Sequence, residues 1–443
     1  MKLIIPDIEI QEDTGFDTKI DIFKRKDFGE RLANLIENTD DNPVFALDAE
    51  WGEGKSIFVK MWRGYLEHKR ESPIKTVYFD AFENDYQKDP FLTLASEIYS
   101  LLEDKEEEKK KEFTEKATNA AKSLMRGAIK IGVKVATAGI VDGTAVDVAE
   151  KEISNLVSGQ VDEIIADRFK NVVTDKLALQ NFKIYLAKLA EDISEDKPMV
   201  FIIDELDRCR PDFALELLEQ IKHLFSVKGI TFLLVTNRTQ LEQSIRTRYG
   251  IDIDPTNYLH KFINLWITLP RKSDKYQDSG TEFLSYAISQ MKTNDEKIQN
   301  DFCIDVFNNI VKHYKISYRE IERMLSYFAI LHNMAGDSKY YSNYQYMMAF
   351  VCFIKATNPN LLTTITNKDC DKFIKESGLD EVENEYSFHT INYIKNLVIY
   401  CFSDDEKKKT MIQEGKIYSD NHGQMPPNLL LTISSWFNEI NNR

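Results

Sequence analysis

Residues 49 to 56 read Ala49-Glu50-Trp51-Gly52-Glu53-Gly54-Lys55-Ser56 and directly follow the apolar run Val44-Phe45-Ala46-Leu47. No other stretch constrains the fold as strongly. An apolar strand delivered to a glycine-containing turn and then to a helix start builds a phosphate loop. Its backbone N–H groups point inward at a polyphosphate, and the helix adds the positive end of its dipole. In such a loop Trp51, Gly52, Glu53, Gly54, Lys55, Ser56 and Ile57 surround the nucleotide, Lys55 reaches the β- and γ-phosphates, and Ser56 is a ligand for Mg²⁺. The sequence departs from G-x-x-x-x-G-K-[ST] at the first position, where Ala49 stands for glycine. That glycine serves unusual backbone angles or close approach, to which one methyl group is a mild obstacle. The competing reading is a chance Gly-Lys-Ser at an ordinary helix start.

The second half of the chain argues against chance. Residues 199 to 205, Met-Val-Phe-Ile-Ile-Asp-Glu, are a continuous apolar run ending in two carboxylates, the pattern of a strand buried on both faces of a parallel sheet. The carboxyl ends of such strands are where α/β sheets bind ligands. Asp204 is placed to hold Mg²⁺ through water, and Glu205 to orient or deprotonate the attacking water, because phosphoryl transfer needs charge neutralisation and a positioned nucleophile. A third strand signal runs from Ile230 to Thr236 and Asn237. In P-loop ATPases with an additional strand between the two Walker motifs, a polar residue at that strand's tip senses the γ-phosphate. Asn237 or Thr236 fits that place, with a loop-starting cap as the alternative.

These stretches resemble the KAP family of P-loop NTPases. The resemblance is carried by the Trp-Gly-x-Gly-Lys-Ser loop, Phe79-Asp80-Ala81-Phe82, the run from Ile203 to Pro211, Tyr258 to Ile263 and Tyr318 to Arg323, and covers roughly residues 20 to 330. Its most specific part is Asp207-Arg208-Cys209-x-Pro211 behind the acidic pair. It implies an ATPase of the additional-strand class, using ATP and Mg²⁺, in a family with bacterial members linked to phage exclusion. Where the family commonly has Asp-Asp, this chain has Asp204-Glu205, which keeps a carboxylate in the catalytic place. The family often carries transmembrane helices between the Walker motifs. Here residues 128 to 148 include Lys130, Lys134 and Asp142, too many charges for a spanning helix of about 20 apolar residues. No integral membrane segment is expected. The alternative is a segment lying on a membrane surface, and periodicity does not choose between helix and strand there.

A formal charge of −15 argues against broad attraction to nucleic acid or anionic lipid. The five cysteines are widely spaced with no C-x-x-C pair, which points to a reducing, cytoplasmic setting without structural zinc. The spacing of apolar residues predicts an α/β fold: a parallel P-loop NTPase sheet with a helical insertion and a C-terminal helical lid and module. Residues 1–102 and 173–270 form the two parts of the core, 103–172 the insertion, 271–340 the lid and 341–443 the further module. An amphipathic helix is expected over 151–169, and one continuous helical pattern over Ile310 to Phe328.

The lid of additional-strand ATPases carries an arginine that touches the γ-phosphate of its own subunit, and Arg319 or Arg323, one turn apart, suits that role. The alternative is a solvated stripe balanced by Glu320 and Glu322. For an arginine acting across a subunit boundary Arg208 is the choice, with Arg238, Arg246 and Arg248 behind it, and otherwise it pairs with Asp207. The reading is a Mg²⁺-dependent ATP-hydrolysing switch that self-associates and works with a separately encoded effector protein. The alternative is a nucleotide-binding signalling scaffold with little hydrolysis.

Overall fold

The computed structural model describes the chain except for residues 7, 40, 88, 103–105, 140–157, 195–196, 272–277, 294–301, 336–341, 364, 366–368, 381–387, 419–427 and 442–443. Helix α1 (Lys26–Glu37) leads into strand β1 (Val44–Asp48), and α2 (Lys55–Gly64) follows the glycine loop. Strand β2 (Thr76–Asp80) and α3 (Pro90–Ser100) precede two long helices, α4 (Glu107–Gly139) and α5 (Ser158–Ser194). Strand β3 (Met199–Asp204), α6 (Pro211–Gln220), β4 (Ile230–Thr236), α7 (Arg238–Tyr249), α8 (Pro255–Leu259) and β5 (Leu265–Thr268) complete the α/β part.

The five strands lie in the order β2-β3-β4-β1-β5, and every pairing is parallel. Strand β4 therefore separates the loop-bearing β1 from the acidic β3, which is the additional-strand arrangement. Alternate residues feed two cores, as the two-residue period of a strand dictates. Val200, Ile202, Leu233 and Val235 pack with Leu32, Phe58 and Trp62 of α1 and α2. Phe201, Ile203, Phe232 and Leu234 pack with Phe91, Leu215 and Phe225 on the other face.

Strand β5 carries no buried apolar run and was not visible as a strand in the sequence. It pairs with β1 alone, and its Leu265 is 45% exposed. Asn264 fixes its register: its side-chain oxygen accepts from the Val44 N–H at 2.8 Å, and its own N–H donates to the Val44 carbonyl at 2.9 Å.

The insertion is an antiparallel helix pair. Tyr185 OH donates to the Lys109 carbonyl at 3.1 Å, and the Phe113 and Phe182 rings lie 6.1 Å apart. Helix α4 carries residues 128–139 as helix, while 140–148 lie outside the described residues. Residues 151–157 of the expected amphipathic helix also lie outside them, and the rest belongs to α5, within which the expected boundary at 172 falls. Among the described residues no helix is long and apolar enough to cross a membrane.

Beyond β5 the chain is helical: α9 (Ser279–Met291), α10 (Phe302–Tyr314), α11 (Tyr318–Ala335) and α12 (Ser342–Thr357), followed by shorter pieces and the helices Phe388–Phe402 and Leu429–Asn441. The single pattern expected over Ile310 to Phe328 is two helices. Lys315 takes a positive φ of 49°, and Ser317 and Glu320 then form a capping box that starts α11: Ser317 N donates to Glu320 Oε2 at 2.7 Å, and Glu320 N to Ser317 Oγ at 3.3 Å. Residues from Phe283 to Phe437 share one apolar core, so the lid and the segment after 341 pack as one body. Phe350 is buried there, and Tyr344 and Tyr346 pack partly buried against it.

Phe182 anchors the insertion to the sheet. Its ring meets Phe91 at 5.1 Å and Phe225 at 5.7 Å, both edge-on, and it is fully buried. Phe182→Ala should cost about 3–5 kcal/mol, the usual range for emptying such a site, read as a lower urea midpoint at unchanged slope. An unchanged midpoint would mean that the helix pair unfolds apart from the sheet.

Candidate active site

The loop between β1 and α2 turns on two glycines. Gly52 has φ of +84° and Gly54 of +76°, the left-handed region that other residues enter only under strain. Gly52 is also required by proximity, since a Cβ there would lie 2.7 Å from Arg319 Cβ on α11. Ala49, at the motif's first position, keeps ordinary backbone pairing, its N–H donating to Thr236 O at 3.4 Å. Lys55 curls over the loop, its ammonium donating to the carbonyls of Ala49 at 2.6 Å and Glu50 at 3.2 Å. Partial burial lowers its pKa, opposed by Asp207, Asp204 and Asp48. A cation held only by backbone carbonyls among surrounding carboxylates is available to an anionic ligand.

Strand β3 brings the acids to this loop. Asp204 is 1% exposed. It accepts from the Glu205 N–H at 2.8 Å, from Tyr78 OH at 2.9 Å and from the Ser56 hydroxyl. Burial pushes its pKa up, and these three donors oppose that rise without cancelling it. Glu205 sits at φ of +59° and forms an ion pair with Arg208 at 2.6 Å. Burial raises its pKa, Arg208 lowers it, and Asp80, Asp204 and Asp207 raise it again.

The turn after β3 (Leu206–Arg208) explains the Asp-Arg-Cys-x-Pro motif. Asp207 accepts from the indole N–H of Trp51 in the phosphate loop, and Arg208 holds Glu205. The Cys209 thiol donates to the Glu205 carbonyl at 3.6 Å, and the Arg210 N–H donates to Asp85 at 2.9 Å. Pro211 starts α6. The motif thus ties the acidic strand's end to the phosphate loop and to the β2 loop. Arg208 pairs with Glu205 of its own chain, where the sequence alternative named Asp207 as its partner.

Asn237 caps α7, accepting from Gln240 N at 3.2 Å, and donates its amide to Glu50 Oε2 at 2.7 Å. The cap and the loop contact thus coexist in one residue. The buried Thr236 hydroxyl beside it has no hydrogen-bond partner among the described residues. Arg238 pairs with Glu242 at 3.0 Å and Arg248 with Asp212 at 2.8 Å. Glu320 accepts from Ser317 in the capping box of α11.

Sequence reasoning missed the N-terminal segment, which carries no motif. Ile5, Ile8, Ile22 and Phe23 join Ile57 and Met61 of α2 with Phe283, Tyr286, Arg319 and Arg323 of the lid around a cavity of 490 Å³ that opens on Gly52 and Gly54. Its lining is mainly apolar, and its size suits a nucleoside beside the phosphate loop. The same segment supplies Arg25, 3% exposed, whose guanidinium donates to the carbonyls of Glu53 at 3.1 Å and Pro270 at 3.2 Å. Arg271, at the hinge from β5 to the lid, pairs with Glu53 Oε1 at 2.6 Å and donates to the Ile316 carbonyl at 2.6 Å. Burial raises the Glu53 pKa against the pull of Arg271, Arg25 and Lys55. The loop, the N-terminal segment and the lid therefore meet at one buried residue, Glu53, through its carbonyl and its carboxylate.

Ser56 and Asp204 offer a hydroxyl and a carboxylate, hard oxygen donors suited to Mg²⁺. Among the described residues no group of three or more His, Cys, Asp or Glu could hold a metal alone. Arg271→Ala would leave Glu53 buried without its charge partner, a loss of about 1–3 kcal/mol. Nucleotide affinity, measured with a fluorescent ATP analogue, should fall by about tenfold or more. Unchanged affinity would show that the loop does not depend on the lid hinge.

No curated protein matches this chain. Two solved structures of the Aeropyrum pernix ORC2 protein, described as ADPNP-ADP complexes and as the ADP form, each align over 99% of this chain and 96% of their own at 13% identity. Their TM-score of 0.35 is too low to bear on fold or function. The model of the KAP family P-loop domain matches residues 25–335, from the arginine that braces the phosphate loop to the end of α11. With the parallel sheet, the phosphate loop and the acidic strand in place within that span, the chain belongs to the KAP family of P-loop NTPases.

Proposed function

We propose that the chain binds Mg²⁺-ATP, hydrolyses it, and passes its nucleotide state to the helical lid. The observation that carries this is the convergence of Lys55, Ser56, Asp204 and Glu205 at the carboxyl ends of β1 and β3. Bound Mg²⁺ would neutralise charge on the transferring phosphoryl group, with Ser56 and Asp204 as the residues that hold it. The loop N–H groups bind the phosphates, and Lys55 exchanges its carbonyl partners for phosphate oxygens. Glu205 accepts the proton of the attacking water and is oriented by its ion pair with Arg208. The apolar cavity takes the nucleoside and keeps water from that side of the site. Two contacts of the loop with the lid, Gly52 against Arg319 and Glu53 with Arg271, give nucleotide occupancy a route to lid position.

One observation favours a scaffold with little hydrolysis: the Glu205–Arg208 pair occupies the base. A place in phage exclusion, self-association and a separate effector protein rest on the family resemblance alone.

Glu205→Gln should preserve ATP-analogue binding while lowering turnover by at least about a hundredfold, since the amide keeps the shape but accepts no proton. Lys55→Ala should weaken binding itself. Equal turnover for Glu205→Gln and the parent would remove Glu205 from its role. Arg208→Ala separates the two readings: turnover falls if Arg208 orients the base and rises if the ion pair restrains it.

If nucleotide completes a shared site, Glu205→Gln with ATP should give the largest species by light scattering. A monomer in every nucleotide state would confine the switch to one chain.

A further inference from the structure

Tyr78 takes part in none of the roles assigned above, yet its phenol touches the acid at the centre of the site. It stands on β2, paired in register with Ile202 of β3, and Asp80 two residues on is paired with Asp204. From there the hydroxyl reaches Asp204 Oδ2 at 2.9 Å, while Asp204 Oδ1 accepts the Glu205 N–H at 2.8 Å. Both oxygens of the carboxylate are thus engaged, and its torsion is fixed from two sides. The ring is itself held. It packs on the apolar core beneath α2, and the Lys60 ammonium lies 5.8 Å from its centroid. A phenol fixed by packing donates to a carboxylate without the entropy loss of ordering a free side chain. Burial and the neighbouring Asp204 push the phenol pKa up, so it remains a donor throughout the neutral range.

We propose that Tyr78 is a positioning residue that holds Asp204 facing Ser56, so that the pair is set for Mg²⁺ before the metal arrives. This rests on the reading of the site as one for a Mg²⁺-nucleotide. Without the phenol, Asp204 Oδ2 loses a fixed donor and the carboxylate turns more freely. Metal-linked binding then bears the cost of ordering it. The phosphate loop, reached through Lys55 and backbone N–H groups, does not contain Tyr78, so metal-free nucleotide binding is spared.

The test uses Tyr78→Phe in the full chain, which keeps the ring and removes only the hydroxyl. A fluorescent ATP analogue is titrated in EDTA and then with increasing Mg²⁺. The expected result is unchanged affinity in EDTA and about a tenfold higher Mg²⁺ concentration for half-maximal tightening. The same two titrations in an Asp204→Asn background complete a double-mutant cycle, where adding Tyr78→Phe should change little because the charged acceptor is already gone. A parent-like Mg²⁺ titration for Tyr78→Phe overturns the proposal. So do equal losses with and without Mg²⁺, which would mark a structural role, and fully additive effects in the cycle. A parent chain that binds no nucleotide in either condition sinks the Mg²⁺-nucleotide reading, and this proposal with it, before any variant is compared.

Discussion

The carboxylate of Glu53 is the contact on which the arrangement of this molecule turns. It lies inside the phosphate loop between the two glycines and is 7% exposed. Burying it costs several kcal/mol unless a cation meets it. Arg271 does so from the lid hinge, while Arg25 braces the backbone carbonyl from the N-terminal segment. Each arginine also binds a carbonyl beyond the loop, of Pro270 for Arg25 and of Ile316 for Arg271. Three pieces distant in sequence therefore meet at one residue, with Arg25 on its carbonyl and Arg271 on its carboxylate. The second oxygen, Glu53 Oε2, has no hydrogen-bond partner among the described residues, which keeps this junction short of full satisfaction.

A second bridge runs on the opposite side of the loop. The turn after β3 joins Trp51 to Asp207 and Glu205 to Arg208 through adjacent residues, so Glu205 and the phosphate loop are linked through one short turn. Glu205 holds a left-handed conformation to make this possible. Strain of this kind persists where the surroundings over-determine it, and here an ion pair, the buried Asp207 and the Cys209 contact do so. The Asp-Arg-Cys-x-Pro motif therefore has a mechanical account that does not require Arg208 to leave its own chain.

Between these two bridges lie Asp204 and Lys55. Asp204 is buried and accepts from three donors, and Lys55 is satisfied by backbone carbonyls. A net excess of acid surrounds the loop, with Asp48, Asp80, Asp204, Glu205 and Asp207 each felt by Lys55, Glu205 or Tyr78. A tetra-anionic nucleotide entering alone would be repelled, and a divalent cation offsets that repulsion.

The sequence by itself determined the parallel sheet and its chemical ends. Continuous apolar runs at Val44–Asp48, Met199–Asp204 and Ile230–Thr236 are legible because strands buried on both faces need no partner to reveal them. Lys55, Ser56, Asp204 and Glu205 were legible because a phosphate site needs those residue types at fixed spacing from such strands. Strand β5 was not, since an edge strand with Leu265 exposed shows neither a run nor an alternation. The break between α10 and α11 was hidden because Lys315 turns the backbone within an unbroken apolar pattern. Only the tertiary structure decided that Ile5, Ile8, Ile22 and Phe23 line the cavity, that Glu53 joins the lid, that Tyr78 meets Asp204 and that Arg208 holds Glu205. These are contacts between residues far apart in sequence, such as the 218 positions between Glu53 and Arg271. Periodicity reports which face of an element is buried, but it carries no information about which distant side chain meets it there.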